Sequence, residues 1–448
     1  MGKMNAQWWT VAACTIALMA FAADANAQCN TGNCGPIRVD GPPIADVGTS
    51  SIWDDCGVES TYAEATGTGM AGCGNWFFAV NGLIFARDDD DATFLSYQDS
   101  DGEPLLNTRH AQMDYSGGFE VRFGRYFNCG RNAVEAVYWG IYPDKQSAAI
   151  WGADAVGALQ TTQVFDSLVI DPAGANLPIT SYFAGAEMHQ IRRGYEAHNI
   201  ELNLLGLAGF GGKSAWGGGG CGGGYGSAVY AGDACGDGSC GTCSDCGPTC
   251  GTACGGGCGG GAVFTWLLGP RFLRFREDML YATDLVDTTF TGTADELAYL
   301  IDVENNLLGF QFGGRADLCL GKRFSLYSGL KFGIYGNDIN HHQAIYDGLG
   351  NVGTVNDPAS PFDGEVYDIS SSKTDFAMLG ELDLGLNCRI SSCWSANVGY
   401  RAVGVSGVAL APSQMPRDFY DNLQGVRRIE SNGDLILHGG YAGITFNY

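Results

Sequence analysis

Basic side chains are scarce in this chain: 24 lysines and arginines stand against 49 aspartates and glutamates, a formal net charge of -25 over 448 residues. That balance argues against nucleic acid as a partner, because a phosphate backbone needs positive charge to hold it. Charged residues make up only 16% of the chain. Of the six histidines, none stands in an HExxH pattern, and no serine stands in GxSxG. The nucleophile and base of a hydrolase therefore have no candidates, and the chain does not read as an enzyme. Long apolar runs are missing too. Beyond the first residues no segment reaches about 18 uninterrupted apolar positions, so a membrane would be crossed by strands and not by helices.

What is present begins with a basic residue, Lys3, an apolar run from Trp8 to Ala23, and Ala25-Asn26-Ala27. This is the layout of a secretory signal peptide over residues 1–27, cut at an Ala-x-Ala site. Residues 28–74 are rich in Cys, Pro and Gly and read as an irregular periplasmic leader.

The clearest pattern lies at Leu308 to Tyr335. Leu308, Phe310, Phe312, Ala316 and Leu318 share one face, with Gln311, Arg315 and Asp317 on the other. After Leu320-Gly321-Lys322, Phe324, Leu326, Leu330, Phe332 and Ile334 oppose Arg323, Ser325, Tyr327, Lys331 and Tyr335. Period 2 is the signature of a strand. These arms exceed the usual 5 to 6 residues of a soluble strand and match the roughly 9 to 11 that a tilted strand needs to cross a bilayer. An oily face outside and a polar face inside describe a transmembrane barrel.

Strands are likewise read at Gln112 to Phe127, Ala133 to Tyr142, Met188 to Leu207, Ala262 to Tyr281, Thr374 to Asn387, Trp394 to Val405 and Leu435 to Tyr448. The first arm above extends over Asp295 to Leu320, and Asn75 to Arg87, apolar on both faces between turn residues, is a strand whose register the pattern leaves open. With the two arms above this makes ten strands, or twelve if Val164 to Asp171 or Leu285 to Thr291 pairs as well. The expected fold is all-β: an antiparallel up-and-down barrel over residues 75–448, interrupted by a Gly/Cys-rich insert at 208–261. Pro270 should mark a defect in its strand. Lumen-facing candidates are Glu120, Arg122, Gln311, Arg315, Asp317, Arg323, Lys331, Glu381, Asp383 and Arg401. Asp317 and Arg323 could pair across their turn, and a lumen of about ten strands is narrow enough for such pairs to plug it.

Seventeen cysteines invite chemistry. Cys235, Cys240, Cys243, Cys246, Cys250, Cys254 and Cys258 carry CxxC-like spacing that suits thiolate metal ligation. In an exported protein such residues are more often disulfides, and Cys388 and Cys393 join them as disulfide candidates. No metal site or cofactor is assigned. Gly211-Gly212-Lys213-Ser214 lacks the upstream glycine of a P-loop, and Asp99 to Glu103 lacks the distal Glu of a calcium loop.

The C-terminus, with Gly443, Phe446 and Tyr448, resembles the terminal strand signal by which outer-membrane barrels are recognised for assembly. NWFFAVNGLIFARD, GGFEVRFGRYF, AVEAVYWGIY and YAGITFNY together resemble the putative beta-barrel porin family number seven, a group found in planctomycete bacteria. The resemblance implies an outer-membrane location, a pore, lipid and the barrel assembly machinery as partners, and no catalytic residues. The alternative is a cell-envelope scaffold, anchored by the barrel and cross-linked through disulfides to itself or to other envelope proteins. Even-strand topology puts five long loops outside the cell: Asp88 to Ala111, Pro143 to Glu187, Ala282 to Asp295, Asp338 to Lys373 and Leu410 to Gly433. The leader, the insert and the short turns then fall on the periplasmic side.

Overall fold

The computed structural model describes residues 75–88, 92–113, 115–127, 132–142, 145–171, 176–207, 262–320, 323–391, 393–416 and 420–448. The expected signal peptide, leader and insert lie outside the described residues, as do Cys129 and all cysteines from Cys235 to Cys258.

Seventeen strands follow one another. The first nine are β1 (Trp76–Arg87), β2 (Phe94–Gln98), β3 (Pro104–Asn107), β4 (Ser116–Phe127), β5 (Asn132–Ile141), β6 (Lys145–Trp151), β7 (Leu159–Thr161), β8 (Leu168–Ile170) and β9 (Leu177–Pro178). The remainder are β10 (Met188–Leu207), β11 (Ala262–Asp284), β12 (Glu296–Cys319), β13 (Phe324–Asp347), β14 (Thr354–Val355), β15 (Asp368–Arg389), β16 (Trp394–Val408) and β17 (Gly433–Asn447).

Ten of them close a ring. The order β11-β12-β13-β15-β16-β17-β1-β4-β5-β10 returns from β10 to β11, and β6 prolongs β5 along β10. All these neighbours are antiparallel. Closure leaves no strand edge, which is what a sheet in lipid requires. The ten strands are those read from the sequence. The twelve-strand variant is overturned: β8, inside Val164 to Asp171, belongs to a separate three-stranded sheet with β14 and β9, and residues 285–291 form no strand.

The wall is uneven. β10, β11, β12, β13 and β15 run 20, 23, 24, 24 and 22 residues, whereas β1, β4, β5, β16 and β17 run 12, 12, 10, 15 and 15. β10 and β12 keep the bounds expected for them, Met188 to Leu207 and Asp295 to Leu320, whereas β13 and β15 run past theirs because alternation continues beyond the oily stretch with its sense reversed. In β12, Leu308, Phe310 and Phe312 point outward and are more than 60% exposed, while Tyr299, Ile301, Val303 and Leu307 point inward and are fully buried. The apolar face changes side between Leu307 and Leu308, with no slip in register. In β13 the change comes after Ile334, and Ile339 and Ile345 turn inward. Asp338 to Lys373, expected as one long polar loop, is therefore mostly strand, and only residues 348–367 connect β13 to β15. Conversely, β4 starts at Ser116 and not at Gln112, because Thr108–Ala111 forms a 3-10 turn.

From Leu308 to Leu318 the outward face of β12 is apolar over roughly ten residues, the length a tilted strand needs to span a bilayer. Above it the outward face turns charged. Arg274 donates to Glu304 at 2.6 Å, and Arg276 pairs with Asp302. Inside this protruding part, Phe165, Tyr182, Phe183, Tyr299, Tyr367 and Tyr420 build an apolar core between the tall wall and the long loops. Pro270 points outward, and the β10–β11 ladder skips Leu202 and Asn203 opposite it and Gly269. The missing proline N–H accounts for the gap.

Candidate functional site

The lumen at the level of the oily band is an ionic layer. Glu120, fully buried, accepts from Asn81 Nδ2 at 2.7 Å and Arg122 Nε at 2.7 Å, and from the buried Arg401. Arg401 also reaches Asp383 at 3.2 Å. Arg271 donates to Glu381 at 2.9 Å, Gln311 at 3.2 Å and Asn199 at 2.6 Å. Lys331 lies 3.0 Å from both Glu201 and Glu381. Gln311 in turn donates to Glu201 and Asn203 at 2.8 Å. Each carboxylate in this layer therefore faces at least one cation, as buried charges must.

Nine of the ten lumen candidates point inward. Arg323 does not: it is exposed and precedes the first residue of β13, so it sits on the rim. The expected Asp317–Arg323 pair is replaced by Arg315, two residues from Asp317 on the same face, at 2.8 Å. Asn81, Asn199, Glu201, Asn203 and Arg271 belong to the layer and were missing from the candidates. Their inward parity was available from the alternation of Ile200, Leu202 and Leu204 with Asn199, Glu201 and Asn203. For Arg271 the neighbouring proline hid it.

On the short-turn side of this layer lies a cavity of about 140 Å³, lined by Phe77, Tyr126, Leu205, Thr265, Arg315 and Lys331 among others. Tyr327 and Tyr441 join it: their hydroxyls meet, Tyr441 donates to Asp383, and Arg315 lies 4.0 Å from the Tyr327 ring centroid.

On the other side an apolar tier seals the bore. Phe85, Trp139, Tyr195, Phe275 and Tyr335 point inward, each at most 1% exposed. Above them the segment Gly407–Met415, which begins with the last two residues of β16, crosses from the short wall to the tall one. Asn305 holds it in a reciprocal pair, donating to the Ala409 carbonyl and accepting from the Ala409 N–H, both at 2.8 Å. Glu277, clamped by Arg87 at 2.6 Å and Arg193 at 2.7 Å, accepts from the Ala411 N–H.

Phe446 and Tyr448 stack outward at 5.6 Å, Trp394 meets Phe446 at 4.6 Å, and Tyr448 exchanges backbone hydrogen bonds with Trp76 where the ring closes. Gly443 has no room for a side chain: a Cβ there would stand 2.1 Å from Asn81 Oδ1. Cys388, expected in a disulfide, carries a free thiol. Asn387 takes the inward position, and Cys388, one residue before the end of β15, faces outward beside the turn. No group of residues able to hold a metal occurs among the described residues.

Residues 248–431 match the family described as "Putative beta barrel porin-7". The porin-7 match bears out the family resemblance over that range, which runs from the end of the insert to the residues before β17. With the closed ring and its oily belt it supports an outer-membrane β-barrel of the porin type. No curated protein matches the chain. Among solved structures, a major outer membrane protein from Thermus thermophilus is 9% identical, covering 83% of this chain and 98% of its own, with a TM-score of 0.27. The TodX deltaS2S3 mutant monoaromatic hydrocarbon channel is 6% identical over 84% of this chain and 91% of its own, TM-score 0.24. A Pseudomonas aeruginosa FadL homologue is 9% identical over 86% and 92%, TM-score 0.22. At such scores these likenesses carry no argument, and the fold rests on the ring itself.

Proposed function

We propose that the chain is an outer-membrane barrel of the porin type whose bore is shut at rest, leaving a blind vestibule at the short-turn end. The observation that carries this reading is the succession along the axis of the ionic layer, the apolar tier and the segment Gly407–Met415, most of whose side chains are buried. Ten strands enclose a space only slightly wider than the eight-stranded barrels that side chains fill outright. Passage of a solute, as a passive channel requires, would need this filling to move. The disulfide-linked scaffold remains the alternative: of the two candidates at the β15–β16 turn, Cys388 is a free thiol and Cys393 is disulfide-bonded.

In planar bilayers at neutral pH the purified protein should insert and give no sustained conductance. Persistent steps of open-porin size would refute the closed-bore reading. Fractionation with the outer membrane and heat-modifiable gel mobility check the barrel independently.

A further inference from the structure

The segment Gly407–Met415 differs from the rest of the barrel in how it is held. It leaves β16 at an irregularity between Ser406 and Val408, where Gly407 adopts φ 82° and a Cβ would stand 2.4 Å from the Phe376 carbonyl oxygen. Only glycine fits that bend. Val408 still pairs with Gly433 of β17, and from Ala409 onward the segment crosses the mouth without joining any strand. Its backbone is held by side chains from the tall wall: Asn305 at Ala409, Asn337 at the Gly407 carbonyl (3.0 Å), Glu277 at Ala411 and Gln343 at the Gln414 carbonyl (2.7 Å).

Those wall residues are the second observation. Above the apolar tier, inward positions of β12 and β13 are mostly aliphatic or aromatic, yet Asn305, Asn337, His341 and Gln343 are polar and at most 3% exposed. Asn337 donates to Asn305 at 3.0 Å, and His341 meets Gln343 at 2.9 Å. A polar strip inside an apolar core costs desolvation unless every group is paired. Here wall groups pair His341 and part of Gln343, through Ser371, Tyr299 and Tyr367, while Asn305, Asn337 and the Gln343 amide take bonds from the segment. If that segment withdraws, the strip it uncovers is one that water solvates well.

We propose that Gly407–Met415 is the displaceable stopper of the long-loop mouth: it withdraws as a unit, bending at Gly407 and giving up the single Val408–Gly433 pair at the end of β16, while the rest of the ring stays paired. The proposal rests on the closed-bore reading, since a stopper has a role only in a bore that shuts. Withdrawal breaks side-chain to backbone hydrogen bonds and leaves the strand ladders intact beyond that terminal pair, so the opening is local and not global.

Hydrogen exchange read by mass spectrometry on the full chain in detergent micelles tests it. Peptides covering Gly407–Met415 should exchange at least tenfold faster than those covering Tyr299–Val303 of β12. The double variant N305L/N337L, which removes the side-chain partners of Ala409 and Gly407, should speed the segment at least another tenfold. It should leave β12 rates and heat-modifiable mobility unchanged. Should that variant not form a heat-modifiable barrel, Q343L, acting at the other end of the segment, replaces it with the same expectation. A segment that exchanges as slowly as β12, inside a protected and heat-modifiable wall, overturns the stopper alone. Fast exchange throughout the wall, with no heat-modifiable form, removes the barrel reading and the stopper with it.

Discussion

Replacing Arg401 with methionine removes the cation that joins two walls of the lumen. Arg401, on β16, donates to Glu120 on β4 and to Asp383 on β15, and its side chain is 1% exposed. Methionine fills most of the volume, so the loss is electrostatic. Glu120 keeps Arg122 and Asn81, but Asp383 is left with the hydroxyl of Tyr441 and no cation within bonding distance. Hydrogen bonds to charged groups are worth about 1.5–3 kcal/mol each, and removing one partner of a buried pair costs about 3–5 kcal/mol. Two bonds are lost and one carboxylate stays partly satisfied, so the expected cost is about 3–4 kcal/mol. Urea unfolding in detergent micelles, followed by tryptophan fluorescence and by loss of heat-modifiable mobility, reads this directly. Adding E120L removes the other charge of the pair, and the double variant should be less destabilised than the sum of the two single changes by about 1–3 kcal/mol. A cost below about 0.5 kcal/mol for R401M, or strict additivity in the double variant, would refute the view that this layer is a coupled seal.

Two further outcomes follow from the same geometry. Burial pushes His189 and His341, both above the oily band, down to about 4 from the ordinary 6.5. Their contribution to stability is complete above pH 6.5 and is lost as pH falls through 4, by on the order of 3 kcal/mol each; H189Q/H341Q should flatten this slope, and an unchanged slope would count against it. Arginine at Phe312, in the middle of the outward apolar stretch of β12, should cost about 2–4 kcal/mol, whereas arginine at Asn306, just above it, should cost about 0–1 kcal/mol; equal costs in micelle unfolding would mean that the band is misplaced.

The ten-strand ring was legible because lipid-facing alternation is a strong signal wherever large apolar residues occupy every second place, as in Phe310, Phe312, Phe332 and Ile334. The upper halves of β13 and β15 were not legible. There Ile339 and Ile345 carry the apolar parity opposite to Ile334, while Asp338, Asn340 and His342 face outward. Read as one strand, the two parities cancel and the stretch resembles a polar loop. The lumen charges were legible from parity alone, but their pairing was not. Arg315 turns back to Asp317 on its own strand, and Arg271 reaches Glu381, 110 positions away. No local pattern contains such a partner. Gly407–Met415 was equally hidden, since Ala-Leu-Ala-Pro reads as a loop and its anchors lie on distant strands.

The reversal of parity in β12 has a physical cause that ties the fold to its surroundings. A strand in a bilayer must be apolar outward, and a narrow lumen then receives whatever polar side chains remain, which here neutralise one another. A strand standing in water must be polar outward, and its inner face becomes a soluble core. Both demands fall on one continuous strand with a period of two, so the sequence satisfies them by two adjacent apolar residues, Leu307 inward and Leu308 outward. The same pair of senses appears at Phe272 and Leu273 in β11, hydrogen-bonded neighbours of Leu308 and Leu307. In β10, Ile200, opposite Phe272, is the first large outward apolar residue below Glu196 and His198. Across three strands the switch thus follows one row of the ladder, marking the place on the tall wall where lipid gives way to water. The protruding half is consequently built as a soluble β domain on top of a membrane barrel. Its filling is largely apolar, and the charges it does hold, Glu277 between Arg87 and Arg193, neutralise one another, which supports the reading that the bore is shut above the membrane while the cavity lies at the short-turn end.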